Sequence, residues 1–229
     1  MTRTMTLRSL LVVFACAPVA VAAAQQADFR WEKALAAGKR VSIHNINGDV
    51  TVATSTSGKV EVVGVKHGSK RDFDDLTIDV VETNDGVTVC AINKRLDMEC
   101  DDRGIHVHDH WGNRDWDDAS IDIQVKLPKA LEVDAHSVSG DVSVGIDALT
   151  GNGPLSFTSV SGSVTADLPK SIDADVTMRS VSGTLDSEFP LTLNGRMGRH
   201  SLEARIGKGG RELQVHTVSG DVRLRQNKP

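Results

Sequence analysis

The stretch Ser137-Val138-Ser139-Gly140-Asp141-Val142 recurs nearly letter for letter at residues 159–164 and again at 180–185. Its central glycines, Gly140, Gly162 and Gly183, stand 22 and 21 residues apart. A fourth full copy lies at residues 217–222, and a looser one, Asn45-Ile46-Asn47-Gly48-Asp49-Val50, precedes them all. A phrase copied at this interval marks one supersecondary unit stacked on copies of itself.

The flanks give the unit its shape. Val133-Asp134-Ala135-His136, Leu155-Ser156-Phe157-Thr158, Val176-Thr177-Met178-Arg179 and Leu213-Gln214-Val215-His216 each alternate apolar and polar residues, the mark of a strand with one buried face. Beyond the glycine, Val142-Ser143-Val144, Val164-Thr165-Ala166 and Leu185-Asp186-Ser187 resume as a second strand. Alternation puts Ser137 on the inner face, yet the next apolar residue is Val138. A bend or bulge at Ser-Val is therefore expected to reset the face, with Gly140 turning the corner.

Two short strands and two corners make one coil of a β-solenoid. Stacked coils would align Val138, Val160 and Val181 in one apolar ladder and Val142, Val164 and Leu185 in another, at about 4.8 Å per step. Ser139, Ser161 and Ser182 would line the corner. The 37-residue step from Gly183 to Gly220 is expected to hold one degenerate coil, with residues 202–206 as its strand and 207–210 as its turn. The alternative is an antiparallel sandwich of look-alike strands; identical corners three times running favour the solenoid.

The part before the repeats has another character. Residues 41–44, 59–66 and 120–127 alternate as strands, and Asn84-Asp85-Gly86 separates two β-rich runs as a hairpin turn. The fold class expected is all-β: an antiparallel N-terminal sheet over 25–128, with a polar loop at 94–119, continuing into a C-terminal parallel solenoid over 129–229.

The first 24 residues read as a secretory leader. Arg3 and Arg8 supply the basic end, residues 10–21 are apolar, and Ala22-Ala23-Ala24 offers a cleavage site. Cys16 raises a lipoprotein alternative, against which stand the bulky Phe14 and the apolar residues that follow. Residues 25–229 would then form a single β-rich domain that is periplasmic, secreted or otherwise in the cell envelope, meeting the membrane only through its transient leader. Losing Arg3 and Arg8 from 26 basic residues, against 31 acidic ones, takes the formal charge from −5 to −7. An acidic chain with no Tyr and three Trp lacks the cationic footprint and stacking rings that nucleic acid requires. Cys90 and Cys100, the two cysteines outside the leader, are expected to pair in an exported chain.

On these residues the chain resembles the bacterial putative-adhesin family of exported proteins, whose domain has no assigned function. The resemblance rests on residues 45–50, the repeats at 137, 159 and 180, and the closing Thr217-Val218-Ser219-Gly220-Asp221-Val222, and covers about 41–224. It implies a β-solenoid or β-roll of the cell envelope, related to the head domains of surface adhesins, with no catalytic residues to carry over.

The candidate chemistry lies in the polar loop. If residues 105–111 are extended, His106, His108 and His110 share a face beside Asp109, a set that could take Zn²⁺, Ni²⁺ or Cu²⁺. The spacing matches neither a metallo-β-lactamase-like pattern nor a His-Glu-x-x-His helix; the competing reading is a solvated, disulfide-tethered loop. His44, His136 and His216 share one outward register of their repeats. Asp49, Asp141 and Asp221 follow corner glycines, where a carboxylate would accept turn N–H groups. The acids Asp134, Asp147, Asp167, Asp173 and Asp186 show no convergent spacing of the kind a carbohydrate-active β-helix needs. The expectation is a non-enzymatic scaffold or adhesion-type module, without cofactor, that binds an envelope or surface ligand, protein or glycan. The structural corners are Gly48, Gly140, Gly162, Gly183 and Gly220. A periplasmic metal-binding protein using the His- and Asp-rich loop is the competing class, and a carbohydrate-active β-helix enzyme is the third.

Overall fold

The structure is a computed structural model that describes residues 27–69, 73–108 and 119–227. The expected leader, Cys16 included, lies outside the described residues. The first half supplies β1 (Phe29–Lys33), β2 (Arg40–Asn47), β3 (Val50–Thr54), β4 (Val60–His67), β5 (Leu76–Glu82), β6 (Gly86–Asn93), β7 (Met98–Asp101), β8 (Gly104–Val107) and β9 (Ser120–Leu127). The second half supplies β10 (Glu132–Ser139), β11 (Val142–Gly145), β12 (Leu155–Ser161), β13 (Val164–Leu168), β14 (Ala174–Ser182), β15 (Leu185–Ser187), β16 (Leu191–Met197), β17 (Ser201–Ile206), β18 (Arg211–Ser219) and β19 (Val222–Gln226). A single 3-10 turn at Lys94–Leu96 is the one helical element among the described residues.

Two large sheets face one another. Sheet A runs β1-β4-β9-β3-β11-β13-β19-β15, and sheet B runs β16-β17-β14-β18-β12-β10-β2-β6-β5. Each repeat contributes one strand to each sheet through its glycine corner, and the five coils stack in parallel register. Ile43, Ala135, Phe157, Val215 and Met178 form one inner row, and Val50, Val142, Val164, Val222 and Leu185 another. These rows close on each other as a continuous core, with Phe157, Met178, Val142, Val164 and Val222 fully buried. The all-β solenoid expected from the repeats is the fold found.

Four particulars differ from the sequence expectation. The parallel stack begins at β2 and β3 rather than at residue 129, because Asn45–Val50 is a true repeat: β2 lies parallel to β10 and β3 to β11. Antiparallel pairing is confined to β1–β4, β4–β9, β5–β6 and β7–β8 in that half.

The coils also do not stack in chain order. β18 and β19 insert between the second and third repeats, pairing with β12 and β13 on one side and β14 and β15 on the other. Residues 191–206 form no coil. β16 and β17 are an antiparallel hairpin that extends sheet B beyond β14. Shifted register between Leu193 and Met197 breaks up this last edge, which discourages further strand addition.

The fourth difference decides the surface. No bulge resets the face at Ser-Val. β10, β12, β14 and β18 run straight through to their last serine, so Ser137, Ser159, Ser180 and Thr217 point inward and are 0–3% exposed. The intervening valines point outward. The hydroxyls are satisfied by the corner of the adjoining coil: Ser137 donates to the Gly48 carbonyl at 3.1 Å, Ser159 to Gly140 at 2.8 Å, Thr217 to Gly162 at 2.7 Å and Ser180 to Gly220 at 2.8 Å. At Gly140, φ is +153° and an added Cβ would lie 2.0 Å from the Gly48 carbonyl oxygen. Only glycine fits so close to the next coil.

Candidate interaction face

The outer face of sheet B carries side chains in ordered rows because every neighbouring strand is in register. In one row Cys90, His44, His136, Thr158, His216 and Arg179 follow one another across the sheet. Two residues along each strand lies the next, Val138, Val160, Val218 and Val181 in spatial order, exposed by 46, 42, 38 and 62%. Sequence analysis placed three of these valines in the core. They are instead an exposed apolar row on the outer face of the sheet, and their signal is present in the unbroken alternation from Val133 to Val138.

At the β2 end the same face is covered. Residues 94–107, expected as part of a polar loop, form the 3-10 turn and the β7–β8 hairpin, whose alternation at Met98-Glu99-Cys100-Asp101 is visible in the sequence once sought. A disulfide joins Cys90 of β6 to Cys100 of β7. Cys90, Ile92 and Met98 form a second small core, with Ile46, Leu96, Cys100 and Ile105 packed on it. β6 is consequently buried on both faces, apart from its last residue.

Beside the hairpin, the imidazoles of His44 and His136 stack with centroids 5.1 Å apart and planes at 17°. Gly104 lies directly on the His44 ring, where a Cβ would fall 2.8 Å from ring atoms. Burial, reinforced by the neighbouring His136, holds His44 down from 6.5 to about 4, and burial likewise lowers His136. Both rings are therefore neutral at pH 7. Burial raises the carboxyl of Asp134 beside them, although Arg40 at 3.5 Å opposes the shift.

The expected metal set is only partly within the described residues. His106 Nε2 lies 2.9 Å from Asp101 Oδ1 and His108 Nε2 lies 3.0 Å from Glu99 Oε2, each imidazole on its own carboxylate across the hairpin. Asp109 and His110 lie outside the described residues. Among the described residues no three His, Cys, Asp or Glu side chains gather as a metal site. Of the two carboxylate partners, Asp101 stands out in the sequence at the head of the His- and Asp-rich stretch, whereas Glu99 does not and follows from pairing of the two strands.

The corner acids act along the stack. Asp49 accepts the N–H of Asp141, Asp141 that of Ser163 and Asp221 that of Thr184, each at 2.8–2.9 Å. The Thr184 N–H, helped by the Thr184 hydroxyl, holds the Asp221 carboxyl below its ordinary value. The other acids stay apart. Asp134 sits by Arg40, Asp173 accepts from the N–H of Lys208, and Asp167 lines an open depression of about 410 Å³ with Glu188, Arg225, Gln226 and Asn227.

What these features define is a repeat-built β-solenoid whose polar groups serve its own corners and whose outer face is ordered. Residues 37–225 match the family model Toastrack DUF4097, and the chain belongs to that family. Its fold is similar to the crystal structure of a "putative cell adhesion protein" from Clostridium sporogenes ATCC 15579, with a TM-score of 0.52 and 12% identity over 87% of this chain and 99% of that one. A "putative adhesin" from Bacteroides fragilis NCTC 9343 also aligns, at 9% identity over 87% of this chain and 96% of that one, with a TM-score of 0.24. None of the curated proteins matches the chain. The resemblance read from the repeats is the family found.

Proposed function

We propose that this chain is an exported, non-enzymatic module of the cell envelope that engages a surface protein through the outer face of sheet B. One observation carries it: Val138, Val160, Val218 and Val181 lie exposed in an in-register row that the core does not use. An exposed row of β-branched side chains complements another protein's apolar surface. It suits a glycan less well, since sugar platforms stack on aromatic rings and this row has none. The leader at 1–24, the Cys90–Cys100 disulfide and the adhesion-type description of the Clostridium structure support export and a surface role.

The test is a Val160→Lys/Val218→Lys double variant against Ser143→Lys, a change at an exposed position on the outer face of sheet A. The probe is the isolated envelope fraction of the producing cells, with and without protease treatment. The valine variant is expected to lose retention at least tenfold with its melting temperature kept, while the control binds normally. Equal retention of both variants would sink the assignment of this face, and protease-resistant retention would overturn the choice of a protein partner.

A further inference from the structure

The covered end of this face holds a device that works whatever partner the valine row takes. His44 and His136 are side by side on adjacent parallel strands, stacked and half-buried, and His44 is roofed by the turn of a hairpin whose one covalent tie is Cys90–Cys100. Neither ring has a hydrogen-bond partner among the described residues. The roof itself is light. Gly104 rests on the His44 ring, and the Thr88 hydroxyl reaches the Asp102 carbonyl only at 3.5 Å.

We propose that the stacked His44–His136 pair is an acid-sensitive catch: protonating it releases the β7–β8 turn, residues 101–104, and uncovers the outer face of β2 beside the valine row. Two imidazolium rings at this separation repel, and the His44 cation is desolvated under the roof; release lets that ring reach water and move off its neighbour.

The surrounding charges determine the sign. β10 presents Asp134, with Arg40 and Glu132 beside it, and the hairpin presents Asp101. Both acids favour the protonated rings. Asp101 is already engaged by the Arg103 N–H and by His106, and Asp134 by Arg40. The Cys90 sulfur next to His44 is in the disulfide, and Thr158 beyond His136 is uncharged. Burial and mutual repulsion prevail, leaving His44 at about 4. A released ring would titrate near 6.5. Because the closed form binds the proton less readily, the catch is fully closed above pH 6.5 and weakens as pH falls toward 4. With these two values, the closing equilibrium falls about 20-fold between pH 7 and pH 5 from His44 alone.

Amide hydrogen exchange over residues 98–107 of the disulfide-intact protein reads this directly, at pH 7 and pH 5 after correction for intrinsic rates. The native chain is expected to lose about 20-fold in protection at pH 5. His136→Thr, which installs the residue that already occupies this row at position 158, should shrink the loss, and His44→Thr should abolish it. Should His44→Thr leave the hairpin unprotected even at pH 7, His136→Thr alone decides. Equal protection of the native chain at both pH values, or an undiminished loss in His136→Thr, would overturn the catch.

Discussion

The two faces of β10, β12, β14 and β18 invert the usual assignment of residues. At adjacent positions, hydroxyls lie inside and valines outside: Ser159 is 0% exposed and Val160 is 42% exposed. The inner position is where the corner carbonyl of the next coil comes within hydrogen-bonding reach. An apolar side chain there would leave that carbonyl short of a donor in a dry environment, at a cost of roughly 1–3 kcal/mol. A serine or threonine removes the penalty in each of these four strands. Outside, a valine fits the strand backbone without contributing much to the core. The corner is thus specified by hydrogen bonds running between coils, and the apolar letter of the phrase is free for another use.

The severest disruption of the inner face is Gly140→Val. The left-handed φ of +153° and the 2.0 Å approach to the Gly48 carbonyl leave no room for a side chain. The expected loss is about 4 kcal/mol or more, a large share of the stability of an ordinary domain. Urea denaturation followed by far-UV circular dichroism measures it, and a Gly140→Val chain as stable as the native one would remove the close corner from the account.

Ser159→Ala probes the same face more gently. It keeps the backbone and deletes the hydroxyl that donates to the Gly140 carbonyl at 2.8 Å. The expected loss is roughly 1–3 kcal/mol. A shift of only about 0.3 kcal/mol, inside the range of ordinary surface substitutions, would mean that the serine row is a packing convenience, and the contrast between faces would lose its physical basis.

The interval of the glycines and the alternation of their flanks made the solenoid legible, because each coil writes its own strand pattern. The spatial order of coils was not legible. Four nearly identical phrases can neighbour one another in any order, and the local pattern of residues 217–222 says nothing about insertion between β13 and β15. In the Ser-Val pair, hydrophobicity argues for the valine inside and alternation for the serine inside, and alternation prevails. A carbonyl 19 residues away in sequence, Gly140 for Ser159, decides the matter, and no local window contains it. The hairpin of residues 98–107 was hidden by its polar composition: Glu99, Asp101, His106 and His108 occupy the exposed face of a two-stranded ribbon whose other face carries few apolar groups. The disulfide and the outward histidine register were legible; the stacking of His44 on His136 was not, since the two rings belong to coils far apart in the chain.

The smallest effect expected is the most discriminating. Val160→Asp places a charge at the centre of the outer row, where sequence alone would predict a ruined core. With 42% of Val160 exposed, the carboxylate reaches solvent, and it replaces only a half-exposed pair of methyl groups. The stability change should stay within about 1 kcal/mol, whereas Val164→Asp, fully buried just across the corner, should unfold the chain. Paired urea titrations of the two variants separate the faces. If Val160→Asp unfolds as readily as Val164→Asp, the valine row belongs to the core after all. If it stays folded while retention on the envelope fraction falls, the outer face is free of structural duty and available for recognition.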